Sequence, residues 1–346
     1  MLEEPSLPLS VLSAAVLDAY ALQPAELTFL PLGADSGTAV YRLVASDNSV
    51  YFLKLRSGPF DEISVSLPHY LHEQGLRQVI PPLPERHGQL YARVDVYRMI
   101  LYPFVEGVDG YQRELTDEQW EEFGAAVKRL HSTALPPSLA HQVRRESFAP
   151  LYRNRVKGYQ ARAEMDVFDD PTAIQLAALM RQKEKEINLL LSRAERLASE
   201  LQACDPELVL CHSDLHAGNL HLTPAGGLYI VDWDAPVFAP KEHDLMHIGA
   251  SARWMGRRIK GFFYRGYGEV QVDGMALVYY RCERILQDIA AFCAQLLDTQ
   301  EGGKDREQSY TYFSRQFEPG QEVEIATRGG DEKQLRFYGC FPPRKR

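Results

Sequence analysis

The sequence predicts an α+β, bilobal fold with an N-terminal antiparallel-sheet lobe and a larger helical C-terminal lobe. Three observations carry that expectation. The 346 residues exceed the usual size of one compact core, which points to two. Short β-rich segments separated by turn residues crowd the chain as far as Val105, and helical periodicity dominates beyond Thr116.

Taken in order, the apolar spacing over Leu9–Tyr20 predicts a short helix, and Leu27–Leu32, Thr38–Ala45 and Val50–Leu55 predict strands. Ser46-Asp47-Asn48-Ser49 supplies turn chemistry between the last two. Between the first two lies Gly33-Ala34-Asp35-Ser36-Gly37, a polar loop whose backbone amides could approach phosphates, although it is not GxGxxG. Arg98–Val105 is a further apolar run, and Glu106-Gly107-Val108-Asp109-Gly110 reads as a linker. The expected division is therefore a nucleotide-side lobe over 1–102, a hinge over 103–110 and a helical lobe over 111–346. Thr116-Asp117-Glu118-Gln119 matches a capping box, with Trp120, Phe123, Val127 and Leu130 on one buried face. Ile174–Ala203 reads as one long amphipathic helix and Met275–Leu297 as another.

Composition narrows the partners. Lys+Arg 38 against Asp+Glu 47 leaves a net charge of −9, which repels phosphate backbones and favours cationic small molecules, so a nucleic-acid binder is not expected. No apolar run approaches the roughly 20 residues of a membrane helix, and MLEEPSLPLS is acidic where a signal peptide is basic, which predicts a cytoplasmic chain with no membrane partner. Five cysteines without any CxxC read as buried thiols rather than a disulfide framework or zinc finger. Gly302-Gly303-Lys304 lacks the upstream glycine and following hydroxyl of a phosphate loop, and Gly266-Tyr267-Gly268 lacks a third glycine in register.

The chemistry concentrates in Leu208–Pro236, LVLCHSDLHAGNLHLTPAGGLYIVDWDAP. Pro224-Ala225-Gly226-Gly227 reads as a four-residue turn pairing Thr223 with Leu228, a register that sets Asn219 opposite Asp232 with alpha carbons roughly 4.5–5.5 Å apart. An amide oxygen and a carboxylate converging there make a hard-oxygen site suited to magnesium. Asp214, five residues before Asn219, is placed to act as a base or to orient a hydroxyl. Singly, each of these residues reads as an Asx-turn loop residue; together their spacing argues for chemistry. A zinc site from Cys211, His212, His216 and His221 fits no ligand spacing, and Ser213 has no G-x-S-x-G elbow.

The pattern His212-x-Asp214-x-x-x-x-Asn219 followed by a hairpin and Val231-Asp232-x-Asp234 resembles the aminoglycoside phosphotransferase family, relatives of the protein kinases. That resemblance implies a kinase-like fold, with Asp214 as the catalytic aspartate, Asn219 and Asp232 as ligands of Mg2+, and ATP or GTP as co-substrate. It also implies that Lys54, in the apolar strand Tyr51-Phe52-Leu53-Lys54-Leu55, contacts the nucleotide phosphates together with Gly33, Ser36 and Gly37. The lysine's expected partner is a glutamate on the next helix, Glu62 ahead of Glu73, and Tyr102 and Phe104 fall where the family hinge meets adenine. The similarity of the Leu32–Ser36, Phe52–Lys54 and Tyr280–Ala290 segments to the spectinomycin-phosphorylating branch implies a cationic aminocyclitol acceptor and an antibiotic-resistance kind of activity. Glu283 and Asp288, on the late helix, read either as acidic acceptor contacts or as a solvated helix face shared with Arg281 and Arg284. A metabolite kinase of the choline, homoserine or methylthioribose type, or a catalytically silent nucleotide-binding module, would use the same scaffold.

Overall fold

The computed structural model describes residues 3–32, 37–299 and 303–327. Gly33 to Ser36 of the expected phosphate loop, Gly302 and Cys340 lie outside the described residues. The chain divides into two compact units, one of Met1–Gln119, Ala134–Val143 and His216–Pro236, the other of Trp120–Thr133, Arg144–Leu215 and Val237–Arg346.

The first unit is built on an antiparallel sheet of β1 (Pro24–Leu30), β2 (Thr38–Ala45), β3 (Val50–Arg56), β4 (Ala92–Val94) and β5 (Tyr97–Pro103), in the order β1-β2-β3-β5-β4. Helix Leu9–Tyr20 buries Leu12 and Val16, one turn apart, in the same core as Tyr41, Leu43, Leu53, Leu55, Met99 and Leu101. Because side chains alternate along a strand, burying Leu53 and Leu55 in that core turns Lys54 and Arg56 to the opposite face. Glu106–Gly110, read as a linker, carries the short strand Val108–Asp109, paired to Leu220–Leu222. Gly110 N–H donates to the carbonyls of Ala217 and Leu220 at 2.9 and 3.1 Å, an approach in which a Cβ would meet Ala217 O at 2.7 Å.

The hairpin differs from expectation by one residue. Leu222 pairs with Leu228, His221 with Tyr229 and Leu220 with Ile230, while Thr223 N–H donates to Gly227 O at 2.9 Å. The loop is thus the three residues Pro224-Ala225-Gly226, with Gly226 at φ 92, the positive-φ position that such loops assign to glycine. Gly227, which a four-residue turn would have absorbed, belongs to the ladder instead, and Thr223 Oγ1 accepts its N–H at 2.8 Å. The expected pairing of Asn219 with Asp232 is therefore incorrect: Asn219 faces Val231, whose N–H donates to Asn219 O at 3.0 Å.

The second unit is helical. Leu151–Met165, Glu184–Cys204 and Gly274–Leu297 supply most of its core, with Ile187, Leu190, Ala194, Tyr279, Leu286 and Ile289 fully interior. Asp273 caps the last of these helices, accepting from Met275 N and Ala276 N at 2.8 and 3.4 Å. The single helix expected over Ile174–Ala203 is two, Pro171–Gln182 and Glu184–Cys204, parted at Lys183. The apolar spacing runs through the break because no glycine or proline marks it. Cys211, Cys282 and Cys293 are buried free thiols, as expected, whereas Cys204 is disulfide-bonded, contrary to the expectation of thiols throughout. No helix among the described residues is long and apolar enough to cross a membrane.

Helices Asp117–His131 and Arg257–Tyr267 touch backbone to backbone. A Cβ on Gly124 would lie 2.0 Å from Phe263 O, and one on Gly266 1.8 Å from Glu121 O. Gly266, unsuitable for a phosphate loop, is thus a helix-contact glycine. Gly266→Ala should destabilise the protein by about 3 kcal/mol through overpacking; an unchanged denaturation midpoint would contradict that packing.

Candidate active site

In the first unit, Lys54 stands in β3 between Val40 of β2 and Ile100 of β5. An ammonium in such a strand is costly unless compensated. Two carboxylates compensate it: Lys54 Nζ lies 2.9 Å from Asp232 Oδ1 and 3.2 Å from Asp234 Oδ2. Arg56, two residues along the same strand face, reaches Asp234 Oδ1 at 2.7 Å. Burial alone would depress the Lys54 pKa, but Asp232 and then Asp234 outweigh it and hold the amine above the ordinary lysine range. Asp234 is pushed upward, chiefly by burial and also by the charge of Asp232, against the pull of Lys54 and Arg56. Asp232 itself sits at φ 67, in the left-handed region, just beyond Val231 and the end of strand Leu228–Ile230.

The glutamates expected to pair with Lys54 are engaged elsewhere. Glu62 Oε1 accepts from Tyr91 Oη at 2.6 Å, and Glu73 faces His69 at 3.5 Å. Gly37 O accepts from Ser57 N and Oγ at 2.9 and 3.1 Å, tying the end of the glycine loop to the end of β3. Tyr102 pairs with Phe52 across β3 and β5, ring centroids 6.4 Å apart, and burial pushes its hydroxyl up to about 12. Phe104 N–H donates to Val50 O at 3.3 Å, and the Arg42 guanidinium stands 5.6 Å above its ring. Asn219, buried, ends the one-turn 3-10 helix Ala217–Asn219, which His216 caps by accepting Gly218 N–H at Nδ1, 3.0 Å away. His221 Nε2 lies 2.9 Å from Val105 O. Both rings of the rejected zinc set in this unit therefore serve the backbone.

In the second unit the strand Val209–Cys211 delivers His212, Ser213 and Asp214. Ser213 holds φ 76, a conformation costing a non-glycine residue on the order of 1–3 kcal/mol. Asp244 offsets that cost: its Oδ2 accepts His212 N–H and its Oδ1 accepts Ser213 N–H, both at 2.8 Å. His131 Nε2 donates to Asp244 Oδ2 at 3.1 Å, and its Nδ1 lies 2.8 Å from Tyr267 Oη. Burial opposes ionisation of Asp244, but the hydrogen bond and charge of His131 prevail and lower its pKa. Cys211 Sγ adjoins this junction, 4.0 Å from His131 Nε2, with its thiol pushed up by burial and by Asp244; a neutral thiol is a poor metal ligand. His212 Nδ1 then accepts Asp214 N–H at 3.2 Å, bracing the loop from inside.

The Asp214 carboxylate is bound by Arg284, whose Nη1 donates to Oδ1. Arg284 Nε donates in turn to Asp288 Oδ1 at 3.0 Å. Of the two acidic residues expected to meet the acceptor, Asp288 thus joins Asp214 through Arg284, whereas Glu283 pairs with buried Arg153 at 3.3 Å. Burial, reinforced by Glu146 and opposed by Arg153, pushes Glu283 up to about 7. Two participants escaped the sequence reading. Arg56 carried a signal in its two-residue spacing from Lys54, and Arg284 in its four-residue spacing to Asp288 on one helix.

Residues 28–278 match the phosphotransferase enzyme family APH, and the chain belongs to that family. Its antiparallel-sheet N-terminal region and helical C-terminal region are the kinase-like fold of that class, and the chain is a phosphotransferase. Spectinomycin phosphotransferase APH(9)-Ia, solved in complex with ADP and spectinomycin, is 33% identical over 95% of this chain and 100% of its own, with a TM-score of 0.86. Protein StrN of Streptomyces griseus is 29% identical over 226 residues, 63% of this chain and 67% of StrN. Amicoumacin kinase hAmiN, in complex with AMP-PNP, Ca2+ and Ami, is 18% identical over 93% of this chain and 94% of its own, with a TM-score of 0.59, a likeness of fold.

The raised Glu283 carboxyl makes a pH prediction. Its folded-state value of about 7 exceeds the ordinary 4.5, so its contribution to stability is full below about pH 4.5 and is lost as the pH rises through about 7. Glu283→Gln should flatten that part of the melting-temperature profile; parallel wild-type and variant profiles between pH 4.5 and 7 would contradict the assignment.

Proposed function

We propose that the protein transfers the γ-phosphoryl group of ATP or GTP to a hydroxyl of spectinomycin or a closely related cationic aminocyclitol. The observation that carries this reading is the 33% identity, over nearly the whole of both chains, to a phosphotransferase solved with ADP and spectinomycin. The net charge of −9 suits a cationic acceptor.

Within this reading residues 1–102 form the nucleotide-binding lobe, 103–110 the hinge and 111–346 the catalytic and acceptor lobe. Lys54 and the backbone of Gly33, Ser36 and Gly37 hold phosphates, and Tyr102 and Phe104 flank adenine. Asp214 accepts or orients the proton of the attacking hydroxyl. The bond from the γ-phosphorus to the bridging oxygen of the β-phosphate breaks, a bond to the acceptor oxygen forms, and the hydroxyl proton leaves by way of Asp214. The chain contributes chiefly positioning and charge stabilisation.

Magnesium fits the residues of the first unit. Asp232 and Asp234 offer hard oxygens, and the charge of Asp232 helps push the Asp234 carboxyl upward, a repulsion that a divalent cation relieves. Asn219 and Asp232 would hold the ion, which supplies charge neutralisation on the nucleotide phosphates when bound.

Release of nucleoside diphosphate, followed over a panel of antibiotics and metabolites, tests the acceptor; turnover confined to a metabolite would refute it. Asp214→Ala should lower kcat by at least about 100-fold with nucleotide affinity nearly unchanged. Asp232→Ala should abolish magnesium-dependent nucleotide binding. Wild-type turnover in the first variant would remove Asp214 from the mechanism.

A further inference from the structure

We propose that Arg284 sets how much positive charge the acceptor can carry beside Asp214, because its guanidinium already occupies the cation position between Asp214 and Asp288. This inference deepens the proposed function and rests on its assignment of Asp214 to the acceptor side.

One guanidinium serves both carboxylates, with Nη1 on Asp214 Oδ1 and Nε on Asp288 Oδ1. The trio therefore carries a net −1 instead of the −2 of its aspartates. All three side chains reach solvent, Arg284 being 21% exposed and each aspartate 31%. Two neighbouring acids among the described residues are already engaged. Glu283, next along the helix, is paired with Arg153. Glu322 accepts Ala252 N–H at 3.2 Å, and burial pushes its carboxyl upward, with Asp288 adding and Arg281 and Arg284 opposing. Arg281 donates from Nε to Met246 O at 2.8 Å, adding a further cation to the same helix.

An ammonium arriving at this face must compete with a tethered guanidinium and is repelled by it at short range. A hydroxyl flanked by one or two ammonium groups can be received by Asp214, while a densely charged polyamine is disfavoured. Arg284 thus acts as a specificity-determining residue by negative selection against polycations.

Calorimetric titration of the full chain with spermidine, a triammonium probe that needs no turnover, tests this directly. Arg284→Met and Arg284→Gln should each tighten spermidine binding about tenfold, the order of one partly screened charge pair. Arg284→Lys should keep the wild-type affinity, and Asp288→Asn added to Arg284→Met should reverse most of the gain. Equal affinity in the wild type and in whichever neutral variant folds, or a gain that survives Asp288→Asn, would overturn the proposal. Wild-type turnover with spectinomycin is measured separately, so a failure of the acceptor assignment is distinguishable from a failure of the charge-selection assignment.

Discussion

The loop His212–Asp214 depends on one buried carboxylate. Asp244, 1% exposed, accepts two consecutive backbone amides, those of His212 and Ser213, and takes a third hydrogen bond from His131. Those two amides are consecutive, and Ser213, at positive φ, turns the chain immediately after them. The next residue is Asp214. Its backbone amide is fixed by buried His212 and its side chain by the partly exposed Arg284. Buried charge of this kind is costly to break, since loss of one partner leaves polar groups unsatisfied.

A parallel logic governs the first unit, where the expensive group is a cation. Lys54 is locked in the middle strand of the sheet, and the two aspartates that follow strand Leu228–Ile230 come to it. Arg56 shares the load on Asp234. The two units thus solve opposite problems in the same way. Each places one charge by backbone geometry and surrounds it with counter-charges.

Much of this was legible in the sequence because it rested on local rules. Helix Leu9–Tyr20, the capping box in which Gln119 N–H donates to Thr116 Oγ1 and Thr116 N–H to Gln119 Oε1, and the strand around Lys54 follow from periodicity and short-range chemistry. The hairpin register was misjudged because the number of residues in a turn depends on which glycine takes positive φ, and Gly226 and Gly227 are indistinguishable by composition. The partner of Lys54 was sought on the nearest helix, whereas the carboxylates that reach it lie about 180 residues away in the chain. Arg284 was obscured for a different reason. Charged residues spaced along a helix read as a solvated face, and only the fold brings that face to Asp214.

The most direct test of this account is Asp244→Asn, made without touching Asp214. An asparagine keeps the volume but presents an N–H₂ to one of the donors that the carboxylate satisfied. Stability should fall by about 1–3 kcal/mol. In the folded variant kcat should fall on the order of a hundredfold, the cost of a catalytic group displaced by about 1 Å, while nucleotide affinity is preserved. A folded variant with wild-type kcat would contradict the claim that this one carboxylate positions Asp214 for the proposed transfer.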